Sequence, residues 1–188
     1  LFLVLDLLGE VVLHTHLIEE RHLRLEPVDV LFLVFEDLFE EVAAVVVAEL
    51  AAGLDAFVQA RQNGNPAQPG FFGQAMGYAV AMHFRHYVRA RQNSGFVMFY
   101  GHGALMKTSI WGAIGGFPEI ATEDLAYSAK IRAMGYRGIY SERAICYEDY
   151  PPTYAQLRKR TEKWIRGTAE FLKLYYADFA RSAKVPWF

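Results

Sequence analysis

Apolar positions along the chain change their spacing several times, and each change suggests an element. Residues 28–35 (VDVLFLVF) form a continuous apolar run, the signature of a strand buried on both faces. Residues 36–53 (EDLFEEVAAVVVAELAAG) repeat with helical spacing and stop at Gly53. DAFVQARQ at 55–62 reads as a short strand, and NGNPAQPG at 63–70 as a loop dense in turn residues. A long helix is predicted over 71–95, followed by a β-prone run, FVMFY, at 96–100 that leads into Gly101-His102-Gly103. Short helices are expected at 108–116 and 122–135, short strands at 136–140 and 144–148, and a long helix at 153–180, after the break at Pro151 and Pro152. Helices alternating with strands predict an α/β fold with a mostly parallel or mixed sheet.

Composition then divides the chain. Before Asp55 there is no Lys, Ser, Asn, Gln, Tyr, Trp or Met, whereas usage afterwards is ordinary. An acidic, apolar subdomain would look like this, and so would a stretch translated out of frame. Three segments follow: residues 1–55, hard to interpret; 56–152, the body of the domain; and 153–188, an amphipathic helical end. At 188 residues the chain is long enough to bury a core. A net charge of -2 gives no argument for nucleic acid. The single cysteine, Cys146, excludes an internal disulfide framework and reads as a small buried hydrophobe. No run of about 18 uncharged apolar residues spans a bilayer. The absence of an initial Met and the abrupt end at VPWF suggest a piece of a longer protein.

Candidate chemistry gathers in the second half. Thr122 is a good N-cap, and Glu123 and Asp124 in the first turn suit the positive end of the helix dipole. That structural role accounts for both acids. The double-glycine turn GGFPE just before them would also deliver them to the rim of the sheet, where α/β proteins bind ligands. There an ionised carboxylate could accept a proton. Further on, Arg158, Lys159, Arg160, Lys163 and Arg166 make a basic cluster around Trp164. Such a cluster commonly faces solvent or an acidic membrane surface.

Five features occur in order between about Phe96 and Gly167: GHGAL, IWGAIGGFPE, TED, GYRGIYSERAICYEDYPP and RTEKW. Together they resemble the family 2 glycosyltransferases, the processive, membrane-linked group that includes cellulose synthases. The resemblance implies a partial GT-A-type fold, the fold of nucleotide-diphospho-sugar transferases, with a long interfacial helix at its end. It implies that Asp124, the second acid of TED, is the general base of an inverting transfer from a nucleotide-diphospho-sugar donor to a glycan acceptor, with Glu123 beside it. It also places His102 and Gly103 next to the sugars. RTEKW stands where the family carries Q-x-x-R-W: Arg160 replaces Gln, Lys163 replaces Arg, and Trp164 is retained. Arg160 and Lys163 would face the diphosphate, and Trp164 the acceptor ring. Glu148 matches an acid the family often carries before the prolines, and hydrogen bonding of the turn also accounts for it. The family's Mg2+ or Mn2+ is held by a D-x-D motif. Here VFEDLF stands in its place, making Glu36 and Asp37 the candidate ligands. The implied location is the cytoplasmic face of a membrane, reached through flanking segments. The altered motifs keep an alternative open, namely a non-catalytic relative that binds the acceptor but lacks donor and metal sites.

Overall fold

The computed structural model describes residues 3–4, 30–33 and 55–185. The predicted helix over 36–53, its stop at Gly53, and Glu36 and Asp37 lie outside the described residues.

Among the described residues five strands form one sheet: β1 (Leu3–Val4), β2 (Val30–Leu33), β3 (Asp55–Gly64), β4 (Ala104–Lys107) and β5 (Arg137–Glu148), in the order β1-β2-β4-β3-β5. The mixed sheet flanked by helices agrees with the expected α/β class. Of the mostly parallel or mixed sheet expected it is the mixed form that is found, since among the described strands only β3 and β5 run parallel. The reason is β4. It returns from the glycine loop antiparallel to β3 and inserts between β3 and β2. β4 also lies later in sequence than expected. The β-prone run 96–100 contributes only an isolated bridge from Val97 to Gly138, and regular pairing starts after the loop. The two predicted strands at 136–140 and 144–148 are one strand. Its pairing jumps from Ser141 opposite Ala60 to Ile145 opposite Arg61, so residues 142–144 bulge out of register.

β3 is the spine of the molecule. Residues 55–60 are all buried, as expected of a strand covered on both faces. Phe57 contacts Phe99 edge-on and Tyr127 at a tilt, and Phe99 stacks on Phe117. Gly138 makes room for the Phe57 ring, since a Cβ there would come within 2.1 Å of it. This aromatic cluster joins the sheet to the helices, and burying each large ring contributes about 2–3 kcal/mol.

The helices are α1 (Phe71–Met82), α2 (Arg89–Asn93), α3 (Thr108–Ala113), α4 (Glu123–Ala133), α5 (Tyr154–Leu174) and α6 (Tyr176–Arg181). The helix predicted over 71–95 is not uniform: a π-helical segment, His83–Val88, separates α1 from α2. The helix predicted over 153–180 breaks at Tyr175 into α5 and α6. α5 begins at Thr153, whose hydroxyl accepts from the Gln156 amide, and buries only Gly167 and Phe171. Phe171 packs on Ala126 and Ala129 of α4. Gly167 lies against Thr122, where a Cβ would come within 2.6 Å of the threonine methyl. Among the described residues no helix is long and apolar enough to cross a membrane.

Candidate functional site

Local forces place Asp124. Gly115 and Gly116 both adopt positive φ, which a β-carbon disfavours, and this turn brings the chain round to α4. α4 starts at Glu123 with Thr122 as N-cap, as the sequence suggests. The expected capping bond is absent, however. The Thr122 hydroxyl has no partner among the described residues, because the side chain is packed beneath Gly167. The Asp124 carboxylate instead accepts from the Leu125 amide at 2.8 Å.

Asp124 is half-buried. Burial pushes its carboxyl above the ordinary aspartate range. The neighbouring Glu123 adds to the rise, while the Leu125 amide and the Lys163 charge oppose it. The shift has a consequence for stability. The folded state binds the proton more tightly than the unfolded chain, so Asp124 weakens folding as pH rises through its raised pKa. A carboxyl raised by burial at the start of a helix beside a glycine loop is a candidate functional group.

Gly101, at the start of loop 101–103, lies beside this carboxylate. Gly101 has φ of 84°, and a Cβ there would lie 3.7 Å from Asp124 Oδ2. Gly103 is required twice over: its φ is 63°, and a Cβ would come within 2.4 Å of Cys146 Sγ. Burial pushes the Cys146 thiol up to about 12, leaving a protonated, inert side chain of the kind the sequence suggests.

His102 turns to the end of β5. Its Nε2 lies 3.2 Å from Glu148 Oε2, with the two side chains 15% and 19% exposed. Arg160 of α5 donates to the same oxygen at 3.4 Å and stacks over the Trp164 ring at 4.8 Å. Burial alone would raise the Glu148 carboxyl. Hydrogen bonds from His102 and Tyr150, together with the charges of His102 and Arg160, outweigh it and hold the group below the usual range. Glu148 is therefore more than a turn residue, since it joins the glycine loop to α5.

The structure thus draws His102, Gly103, Glu123, Asp124, Arg160, Lys163 and Trp164 into one region. The loop lies against Asp124, the Lys163 charge reaches it, and Glu148 links His102 to Arg160 and through it to Trp164. Trp164 remains 44% exposed. Arg160 is engaged by Glu148, while Lys163 is exposed on the helix. Glu36 and Asp37 lie outside the described residues. Among the described residues, no group of three or more His, Cys, Asp or Glu side chains could hold a metal ion.

Two residues of this region carried no sequence expectation. Gln59 is fully buried in β3. Its amide donates to the carbonyls of His102 and Gly103 at 3.0 and 3.1 Å and accepts from the Tyr100 amide at 3.0 Å. Gln62 donates to the carbonyls of Tyr100 and His102. The available signal was a pair of amides in an otherwise buried strand. Their spacing of three gives no hint of a shared target, because an alternating strand puts such positions on opposite faces.

A mixed α/β frame, an acid pair opening a helix, and a basic, tryptophan-bearing helix beside it agree with the class the sequence resembles. The sequence model of Glycosyl transferase family group 2 matches residues 36–187, and the chain belongs to that family. Among solved structures, the chain is similar to the mannosyltransferase PcManGT from Pyrobaculum calidifontis, determined in complex with GDP-Man and Mn2+. The two share 23% identity, with a TM-score of 0.48 over 70% of this chain and 34% of that one. The chain thus spans about a third of that protein's length. No curated protein matches the chain.

Proposed function

We propose that this chain is the acceptor-side part of a glycosyltransferase domain that moves a sugar from a nucleotide-diphospho-sugar to a glycan hydroxyl with inversion, using Asp124 as general base. Family membership supports sugar transfer. The observation that carries the base assignment is the half-buried carboxylate of Asp124, raised in basicity at the start of α4 and lying beside Gly101.

In the reaction the acceptor oxygen attacks the anomeric carbon as its proton passes to Asp124. The bond from that carbon to the diphosphate breaks, and its electron pair leaves with the nucleoside diphosphate. A single displacement inverts the centre. The raised pKa helps, since a more basic carboxylate takes the proton more readily. Lys163 supplies positive charge toward the leaving group. Arg160, held by Glu148, lies over the Trp164 ring, and the exposed part of the indole offers an apolar face to an acceptor ring. A divalent cation on the donor diphosphate is expected from the resemblance. The described residues offer no cluster suited to it, and no step here depends on one.

We assign the domain to the cytoplasmic face of a membrane. The support is the outer face of α5, where Ile165 and Leu172 are exposed among Arg158, Lys159, Arg166 and Lys173.

The test is release of nucleoside diphosphate and product formation by the full-length protein with Asp124→Asn. Loss of transfer with donor affinity retained supports the assignment; unchanged turnover removes it. A full-length protein that binds acceptor yet transfers no sugar from any donor would instead be the non-catalytic relative.

A further inference from the structure

The strongest feature that the mechanism leaves unused is the pair of buried amides on β3. Tyr100, His102 and Gly103 all turn their carbonyls toward this strand. Gln59 and Gln62 both reach His102 O, Gln59 also takes Gly103 O, and Gln62 takes Tyr100 O. The Ala60 amide adds a bond to Gly103 O at 2.8 Å. The same strand of chain is fastened on its other side to the helix that carries Asp124. The Phe99 amide donates to Ser128 Oγ at 2.9 Å, and Ser128 Oγ donates to the Asp124 carbonyl at 2.7 Å. Consecutive amides at 99 and 100 therefore bond to α4 and to β3 respectively.

Apolar side chains would fill this space at lower desolvation cost. A buried primary amide is retained only where its donors and acceptor are matched, and Gln59 has both matched. The two glutamines meet at one carbonyl although they are three residues apart, across the place where pairing to β5 loses register between Ala60 and Arg61. The irregularity in the sheet and the grip on the loop occur at the same point.

We propose that Gln59 and Gln62 are positioning residues that set the height of the Tyr100–Gly103 loop above Asp124, and so fix where a sugar hydroxyl meets the base. This rests on Asp124 being the base. The groups that face Asp124 are Glu123 on its own helix, Lys163 from α5 and Tyr100 from the loop. Of these, Tyr100 is the one the glutamines hold, and their bonds to His102 and Gly103 grip the chain on the other side of Gly101.

The test uses Gln62→Ala, which removes only the outer two bonds, and Gln59→Met, which keeps the length and adds no charge but loses the three donated bonds, to Ala60, His102 and Gly103, and the one accepted from Tyr100. Three readouts apply to the full-length protein. Amide exchange across residues 100–103 should quicken about tenfold while the sheet stays protected. The Asp124 carboxyl, followed by carbon NMR, should titrate closer to the ordinary aspartate value, because a loosened loop admits water. Turnover should fall about tenfold at unchanged donor KM, as expected for lost orientation. A merely structural amide would leave the Asp124 titration where it is, and that result overturns the proposal even if stability falls. If the unmodified protein transfers no sugar, the functional reading fails, yet exchange and titration still decide whether the amides set the loop.

Discussion

Phe57 and Trp164 are both large aromatic side chains, and they sit in regions of opposite character. Phe57 is enclosed in the middle of a sheet, ringed by Phe99 and Tyr127 with Gly138 beneath it. Trp164 lies on a 21-residue helix that buries two residues, with one charged partner over its ring. The sheet region spends its side chains on itself. Among the described residues most side chains of the helix are exposed. Stability and function therefore divide between β3 and α5, and Asp124 stands at the junction, on the helix that both regions touch.

That division can be broken or sharpened in order of effect. Asp124→Asn should lower turnover about 10³-fold, the scale of lost general-base catalysis, with donor affinity within about twofold. It should also raise the melting temperature at neutral pH, because it removes a carboxylate whose ionisation opposes folding. In the unmodified protein, activity should fall with acidification at a pH above the ordinary aspartate range, as Asp124 takes up its proton; a pH–rate profile checks this. Phe57→Ala should cost about 3–4 kcal/mol in denaturant unfolding, since the close-packed ring cluster cannot collapse onto the cavity. Glu148→Gln should cost about 1–2 kcal/mol by removing the charge shared by His102 and Arg160. Its pKa is held down by those partners, so the stabilisation it provides is present at neutral pH and lost as pH falls through the lowered value. At the small end, Leu172→Gln should change stability by less than about 0.5 kcal/mol, while weakening binding to anionic vesicles if the outer face of α5 docks there. A large loss of stability from Leu172→Gln would show that this face is covered within the protein, and the contrast with β3 would disappear.

Much of this arrangement was legible in residue order. Periodicity located α1, α4 and α5 because each carries a helical repeat and a clear stop or start. The acid pair was visible because Gly115, Gly116 and Pro118 mark a turn directly before it. β4 was missed because ALMK is short and follows a glycine loop, whereas FVMFY before the loop has the stronger β-propensity. Pairing, not propensity, decided between them: Ala104–Lys107 finds partners on both sides in β2 and β3, and residues 96–100 find only one bridge. The split of β5 into two strands came from the polar Glu142 and Arg143, which occupy the bulge and point outward. The role of Gln59 and Gln62 is a tertiary fact. Nothing near them in sequence announces a carbonyl some forty residues away.

The contact between Gly167 and Thr122 gives α5 a fulcrum. A rod of 21 residues is about 31 Å long, and it meets the base of the acidic helix where glycine lets two backbones nearly touch. Force applied at the Tyr154 end, whatever holds that end in the intact protein, is delivered two residues from Asp124. A surface that gripped the long helix would therefore bear, through this one contact, on the residue that opens the acidic helix.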